Sequence, residues 1–319
     1  MSNRRFNWFL ILRLAGIALF IIVLSRTDLK ALWSWMKQVD RSDLFLAMLF
    51  QVLLLMIKAW RWFILNENTF SLNRLKQRSG EFFEGYAMGV ITPGRVGELM
   101  KAGHAGSRKG ILGAGLRVVA ERGTDLSLFF LVAGTAMTQG IIPRINPSWG
   151  WLVLILGAIG IMMSLMILVS PYLVIQAEKI LKWIRMLEKG KSLDFTHFST
   201  GKASGFLLLS VVSNLSYFVC CFFLATGVGL MLPFINISGG VAAAGVINTV
   251  PVTVMGLGTR EVTFLYVFSN FSQAQVMAFS GLVFFVAQIG GGLFSLILGQ
   301  ILLVNSRLHP PAGGPNSNS

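Results

Sequence analysis

Phe82-Phe83-Glu84-Gly85-Tyr86-Ala87-Met88-Gly89-Val90-Ile91-Thr92 runs directly into Pro93-Gly94-Arg95-Val96-Gly97-Glu98. Val241 to Val250 likewise runs into Pro251, with Gly256-Leu257-Gly258-Thr259-Arg260-Glu261 close behind. A helix that crosses the bilayer core takes about 20 apolar residues, and each stretch supplies about half that before proline and glycine interrupt it. Both read as broken or re-entrant helices. Irregular backbone at membrane depth survives only where it is buried in protein or lines a cavity. Interrupted segments at corresponding positions in two halves of a chain therefore point to a substrate site near the midplane.

The rest of the chain supports a bilayer setting. It is 54% hydrophobic and 13% charged, where soluble domains carry about 25% charged residues. The mean hydropathy is +0.70. Apolar windows of spanning length cover roughly residues 7–25, 43–65, 123–142, 149–171, 205–232 and 276–304. The sequence thus predicts an all-α polytopic membrane protein with six full transmembrane helices and two broken or re-entrant hairpins. It forms one transmembrane domain over 1–309, with halves at about 1–142 and 149–304, followed by a disordered cytoplasmic tail at 310–319 rich in Pro, Gly, Asn and Ser. Arg4 and Arg5 precede an uncleaved first span. Leu29 to Val39 and Val174 to Leu187 read as interfacial helices, with tryptophans at headgroup depth in the first.

Six crossings put both termini on one face. Sixteen connector Lys and Arg, Lys101 among them, fall on that face and six, including Arg260, on the other. The positive-inside rule makes the first face cytoplasmic. The two hairpins then open from opposite faces, as an inverted repeat requires. The formal charge of +14 suits anionic lipid headgroups better than nucleic acid, because the basic residues flank hydrophobic spans.

Several chemistries are not expected. No Gly-x4-Gly-Lys-Ser/Thr loop occurs, so nucleotide-driven work has no support. His104, His197 and His309 stand apart without metal-ligand spacing. Adjacent Cys220 and Cys221 read as packing residues. No metal, cofactor or enzymatic activity is expected.

The candidate site residues are Arg95, Glu98, Arg122, Asp125, Arg260, Glu261, Arg61 and Asn248. Arg95 is a permanent cation whose fork matches a phosphate, and Glu98 can balance it, bind an ammonium headgroup or carry a proton. The alternative is an i,i+3 pair that only stabilises a helix. Glu121 and Asp125 share a helical face beside Arg122, which either binds phosphate within an acidic frame or sits solvated at the interface. Arg61 lies near a span end, flanked by Trp60 and Trp62, where snorkelling is cheap. The second turn repeats flexible backbone, one arginine and one glutamate. Asn248, Thr249 and Thr253 there either bond a ligand or join helix to helix. Gly290-Gly291-Gly292 with Gly281 and Gly299 reads as a helix-packing face.

Taken in order, Arg61-Trp62, Thr92-Pro93-Gly94-Arg95-Val96-Gly97-Glu98, Glu121-Arg122 with Asp125, and Val250-Pro251 leading to Gly256-Leu257-Gly258-Thr259-Arg260-Glu261 carry a resemblance across most of the chain. The sequence resembles the transmembrane region of lysylphosphatidylglycerol synthases and their stand-alone, flippase-like relatives. The resemblance implies a pseudo-symmetric fold that moves a phospholipid or lipid-linked headgroup between leaflets of the bacterial inner membrane. The chain ends soon after its last span, so the family's soluble aminoacyl-transferase domain and a synthase activity are not expected. A proton-coupled transporter of a small anionic solute and a non-catalytic membrane partner of a lipid-synthesis enzyme are the alternatives. The expected partners are membrane lipid and anionic headgroups, with a second copy or a lipid-synthesis enzyme as further candidates.

Overall fold

The computed structural model describes residues 20–104, 108–183, 195, 197–249 and 256–308. Among these, every regular element is helical. The chain is described from a helix at 20–25, and most of the first predicted span, Pro251 and the tail lie outside the described residues.

Helix α1, Leu29–Lys37, starts where the Asp28 carboxylate accepts the N–H groups of Lys30 and Ala31. Its Trp33 faces outward, whereas Trp35 packs on the protein core instead of sitting with Trp33. Helix α2, Arg41–Asn66, is capped in the same way by Asp40. Such caps satisfy otherwise orphaned backbone donors. Helix α3 is Leu72–Ile91, α4 Met100–Gly103 and α5 Arg108–Thr138. Helix α6 is Ser148–Val169 and α7 Pro171–Trp183, a helix where the second interfacial one is expected, described up to Trp183. Helix α8 is Thr200–Gly227, α9 Phe234–Ile247, α10 Thr259–Val267, α11 Gln273–Val283 and α12 Gly291–Leu308, the last two joined by a π-helical turn at Phe284–Gly290.

Four described segments, Arg41–Asn66, Ser148–Val169, Thr200–Gly227 and Gln273–Val304, are long and apolar enough to cross a membrane. The window predicted at 123–142 is the C-terminal part of α5, which has 31 residues but carries Glu121, Arg122 and Asp125 near its middle. Its length suffices for a crossing while its charges need partners inside the protein.

The two interrupted stretches fold back on themselves. The first differs from the eleven-residue fragment expected: α3 is a continuous 20-residue helix. It extends through polar sequence because Arg74 and Arg78 bond Glu67 at 2.9 and 2.8 Å and Arg78 bonds Glu81 at 3.0 Å. After Thr92 the chain reverses through a 3-10 segment, Pro93–Leu99, and α4. A Cβ added at Gly89 would collide with Glu98 and one at Gly85 with Lys101, so these glycines let the returning chain lie directly on α3. In the second, the 14-residue α9 and 9-residue α10 form a hairpin. Gly240 lies against Val267 and Phe268 at its base, and Gly256 against Asn248 at its tip. Neither α9 nor α10 is long enough to span alone.

The hairpins pack crosswise. α3 lies on α12, which follows the second hairpin, while α9 lies on α5, which follows the first; α2 and α8, each preceding a hairpin, pack on each other. Gly292 and Gly299 are part of the α3 contact, as the packing-face reading expected, but Gly281 faces open space. Two apolar cores result. One joins Leu55, Trp62, Phe82, Phe83, Val118 and Phe206, and the other Cys220, Cys221, Ile237, Phe264, Phe268 and Phe279.

Candidate functional site

Between the two cores lies a cavity of about 560 Å³. Tyr86, Val90 and Val118 reach it from one core and Val241, Ala244, Phe264 and Val283 from the other. Both hairpin turns open into it, bringing Arg95 and Arg260 to the same space.

The first turn is built locally. Thr92 leaves helical geometry at ψ 141°. Its hydroxyl donates to the Met88 carbonyl at 3.0 Å and accepts the Gly97 N–H at 2.7 Å, which closes the reversal. Arg95 holds a left-handed backbone, φ 56°, at a cost of about 1–3 kcal/mol that only a surrounding structure sustains. Its guanidinium lies over the Tyr86 ring at 5.5 Å, donates to Gln288 Oε1 at 3.3 Å and approaches Glu98 Oε1 at 3.7 Å. Glu98 is buried and shared: Arg122 contacts Oε1 and Lys101 Nζ stands 3.5 Å from Oε2.

Behind this turn runs a closed ionic network. Arg61 is fully buried and donates to Glu121 Oε1 at 2.8 Å, to the Asp125 carboxylate at 2.6 and 3.0 Å, and to Ser210 Oγ at 2.8 Å. Lys58 pairs with Asp125 Oδ2 and Lys101 with Glu121 Oε2, both at 2.7 Å. Lys101 is also flanked by the Trp62 and Phe82 rings at 4.8 and 5.2 Å. The helical spacing of Glu121 and Asp125 puts both carboxylates on one face, where they grip α2, and turns Arg122 towards the cavity. A buried network of this kind orients its members, and removing one partner leaves an uncompensated charge.

The second turn uses glycine where backbone demands it: Gly256 and Gly258 stand at φ 73° and 88°. The Thr259 hydroxyl donates to Asn248 Oδ1 at 2.6 Å and ties the two hairpin arms. Glu261 Oε2 accepts the Gly258 N–H at 2.6 Å at the start of α10. Its Oε1 accepts from Arg260 at 2.5 and 3.2 Å and from Ser280 Oγ at 2.8 Å. Arg260 is buried and rests over the Phe284 ring at 5.2 Å. Its Nη1 has no hydrogen-bond partner among the described residues.

Of the predicted residues, Arg95, Glu98, Arg122, Asp125, Asn248 and Arg260 line the cavity, while Arg61 and Glu261 stand one layer behind. Three readings change. Arg61 does not snorkel, since two carboxylates and a serine hold it in the interior. Glu121 and Asp125 frame Arg61 more than Arg122 and are buried instead of solvated. Lys101 and Arg260 are interior charges and leave the connector count, one from each face, so the asymmetry stands. Sequence reasoning missed Lys58 and Gln288 on the cavity wall and Lys101 behind it. Lys58 was within reach of it: a lysine one helical turn before a buried arginine shares its face. Among the described residues no cluster of His, Cys, Asp and Glu is placed to hold a metal ion.

The arrangement offers cations with spare donors to an anion in a largely apolar chamber. A search of curated proteins found no match. Residues 10–295 match the family described as the lysylphosphatidylglycerol synthase TM region, which covers both hairpins, the ionic network and the cavity. The chain is a multi-pass membrane protein and belongs to that family.

Proposed function

We propose that the protein is a lipid flippase in which Arg95 and Arg260 hold a headgroup phosphate from two sides while the acyl tails stay in the bilayer. The observation that carries this reading is the shared cavity: two arginines 165 positions apart in sequence, each on a broken helix, line one chamber. A charged headgroup pays a large desolvation penalty in hydrocarbon, and fixed counter-charges lower it. The edge of the chamber suits a lipid. Val96 and Val119 line it and are 62% and 51% exposed, so apolar side chains continue from the cavity to the outer surface. In a protein whose outside meets hydrocarbon, such a rim gives acyl chains a contact that a closed aqueous pocket for a small solute does not need.

On this reading the hairpins are re-entrant and the two halves form an inverted repeat, which the crosswise packing of α3 on α12 and α9 on α5 supports. α5 and the first span expected from the sequence, at residues 7–25, would complete six crossings. The connector charges favour both termini on the cytoplasmic side of the bacterial inner membrane.

Reconstitution of the purified chain into vesicles carrying fluorescent phospholipids tests the proposal. Protein-dependent leaflet exchange at rates well above empty vesicles is the expected result. No exchange for any phospholipid, with uptake of a small anion instead, would establish the solute-transporter alternative.

A further inference from the structure

The balance of charge in the cavity bears on which headgroups fit there, an inference that rests on the proposed reading of the cavity as a headgroup site. Its ionisable lining comprises four cations, Lys58, Arg95, Arg122 and Arg260, against two carboxylates, Glu98 and Asp125. The layer behind, Arg61 and Lys101 with Glu121 and Glu261, adds two charges of each sign. The chamber therefore keeps an excess of two positive charges among the described residues. Residues 250–255, Val-Pro-Val-Thr-Val-Met, contain no ionisable side chain that could offset it.

Each carboxylate is already paired with protein cations. Both oxygens of Asp125 are taken, by Arg61 and Asn214 on one side and Lys58 on the other. Glu121 divides its oxygens between Arg61 and Lys101. Glu98 holds Arg122 and lies within ion-pair reach of Lys101 and Arg95. Glu261 is occupied by Arg260, Ser280 and the Gly258 N–H. Each of these carboxylates thus already faces at least one protein cation, although Glu98 Oε1 accepts no hydrogen bond among the described residues and the sequence alone left Glu98 and Glu261 open to an ammonium group. Beside that one acceptor, the unused capacity at the cavity lies with its cations. Arg260 Nη1 is buried without a partner, and the Arg95 side chain, one-third exposed, makes only a 3.3 Å bond to Gln288 and a loose pair with Glu98.

We infer that the site selects headgroups that carry one or two negative charges and no cation, the chemistry of a phosphodiester or phosphomonoester with a neutral or absent substituent. Zwitterionic and cationic headgroups would bring an ammonium beside four protein cations, where each lining carboxylate is already ion-paired, and like charges at close range are strongly disfavoured. The phosphate of a free soluble ester has the same donor requirement, so lipid and soluble sources must be separated by experiment.

The test uses the full chain in detergent micelles, with a fluorescent phosphatidylglycerol as probe and unlabelled competitors. Phosphatidylglycerol and phosphatidic acid are expected to displace the probe about tenfold or more better than phosphatidylethanolamine or phosphatidylcholine, with lysyl-phosphatidylglycerol weakest. Glycerol 1-phosphate is expected to compete only at far higher concentration than the lipids. Equal displacement by zwitterionic or cationic lipid overturns the inference, and competition by glycerol 1-phosphate at lipid-like concentration overturns a lipid source. A Gln288→Glu variant adds a carboxylate opposite Arg95 and should shrink the anionic preference by about tenfold; an unchanged preference would show that lining charge does not set it. Leaflet exchange measured in parallel separates the two readings: charge-selective binding without exchange keeps this inference and sinks transport, and exchange without selectivity does the reverse.

Discussion

The first hairpin shares its carboxylate and leaves its arginine loose; the second dedicates its carboxylate to its own arginine. Glu98 meets three cations, from α4, α5 and its own turn, while Arg95 stays one-third exposed in a left-handed backbone. Glu261 closes on Arg260, Ser280 and the helix start, and Arg260 is almost fully buried. One π turn touches both, with Phe284 beneath Arg260 and Gln288 accepting from Arg95. Such turns recur at functional sites. Equal motifs thus need not be held equally: Arg260 is a buried wall charge that also holds structure, and Arg95 is a loosely held, partly exposed charge on the cavity wall.

Arg260→Ala should disturb the molecule most. It strands Glu261 in the interior and should cost about 3–5 kcal/mol of stability. Thermal unfolding in detergent measures this, and adding Glu261→Gln should restore most of the stability while exchange stays lost. A stable Arg260→Ala protein would mean that the second hairpin does not depend on its ion pair.

Arg95→Ala should do the opposite. Glu98 retains Arg122 and Lys101, so stability should change by no more than about 1 kcal/mol. Exchange per folded molecule should fall about ten- to hundredfold, the worth of a charge-assisted hydrogen bond to phosphate. Arg95→Lys should recover only part of this, because lysine keeps the charge and loses the two-pronged fork. Loss of protein in proportion to activity would instead mark Arg95 as structural.

Gln288→Leu should act most mildly. It removes the acceptor that holds Arg95 and should slow exchange by roughly threefold to tenfold, near the net worth of one hydrogen bond. An effect equal to that of Arg95→Ala would make Gln288 a ligand-binding residue in its own right.

Much of this contrast was legible in the sequence. Proline and glycine after short apolar runs located both hairpins, and the arginine and glutamate in each turn located half of the cavity's charges, Arg95, Glu98 and Arg260. What escaped depends on contacts between distant positions. Lys58 meets Asp125 across 67 residues and Arg95 meets Gln288 across 193, and no local pattern records either. The true length of α3 was hidden because its polar half looks unfit for a buried helix until Glu67 and Glu81 are seen to neutralise Arg74 and Arg78. The π turn has the composition of an ordinary apolar helix, so nothing in Phe284–Gly290 distinguishes it.

In the proposed mechanism both arginines, despite their different settings, reach one phosphate. The sharpest test is a double-mutant cycle on phosphatidylglycerol affinity, with wild type, Arg95→Ala, Arg260→Lys and the double variant, the lysine chosen to keep Glu261 paired. Groups that share one ligand couple by about 0.5–3 kcal/mol, whereas independent sites add to within about 0.3–0.5 kcal/mol. A shared phosphate predicts weaker binding in each single variant and a coupling of about 1 kcal/mol or more between them. Additive losses, or unchanged affinity in either single variant, would contradict it.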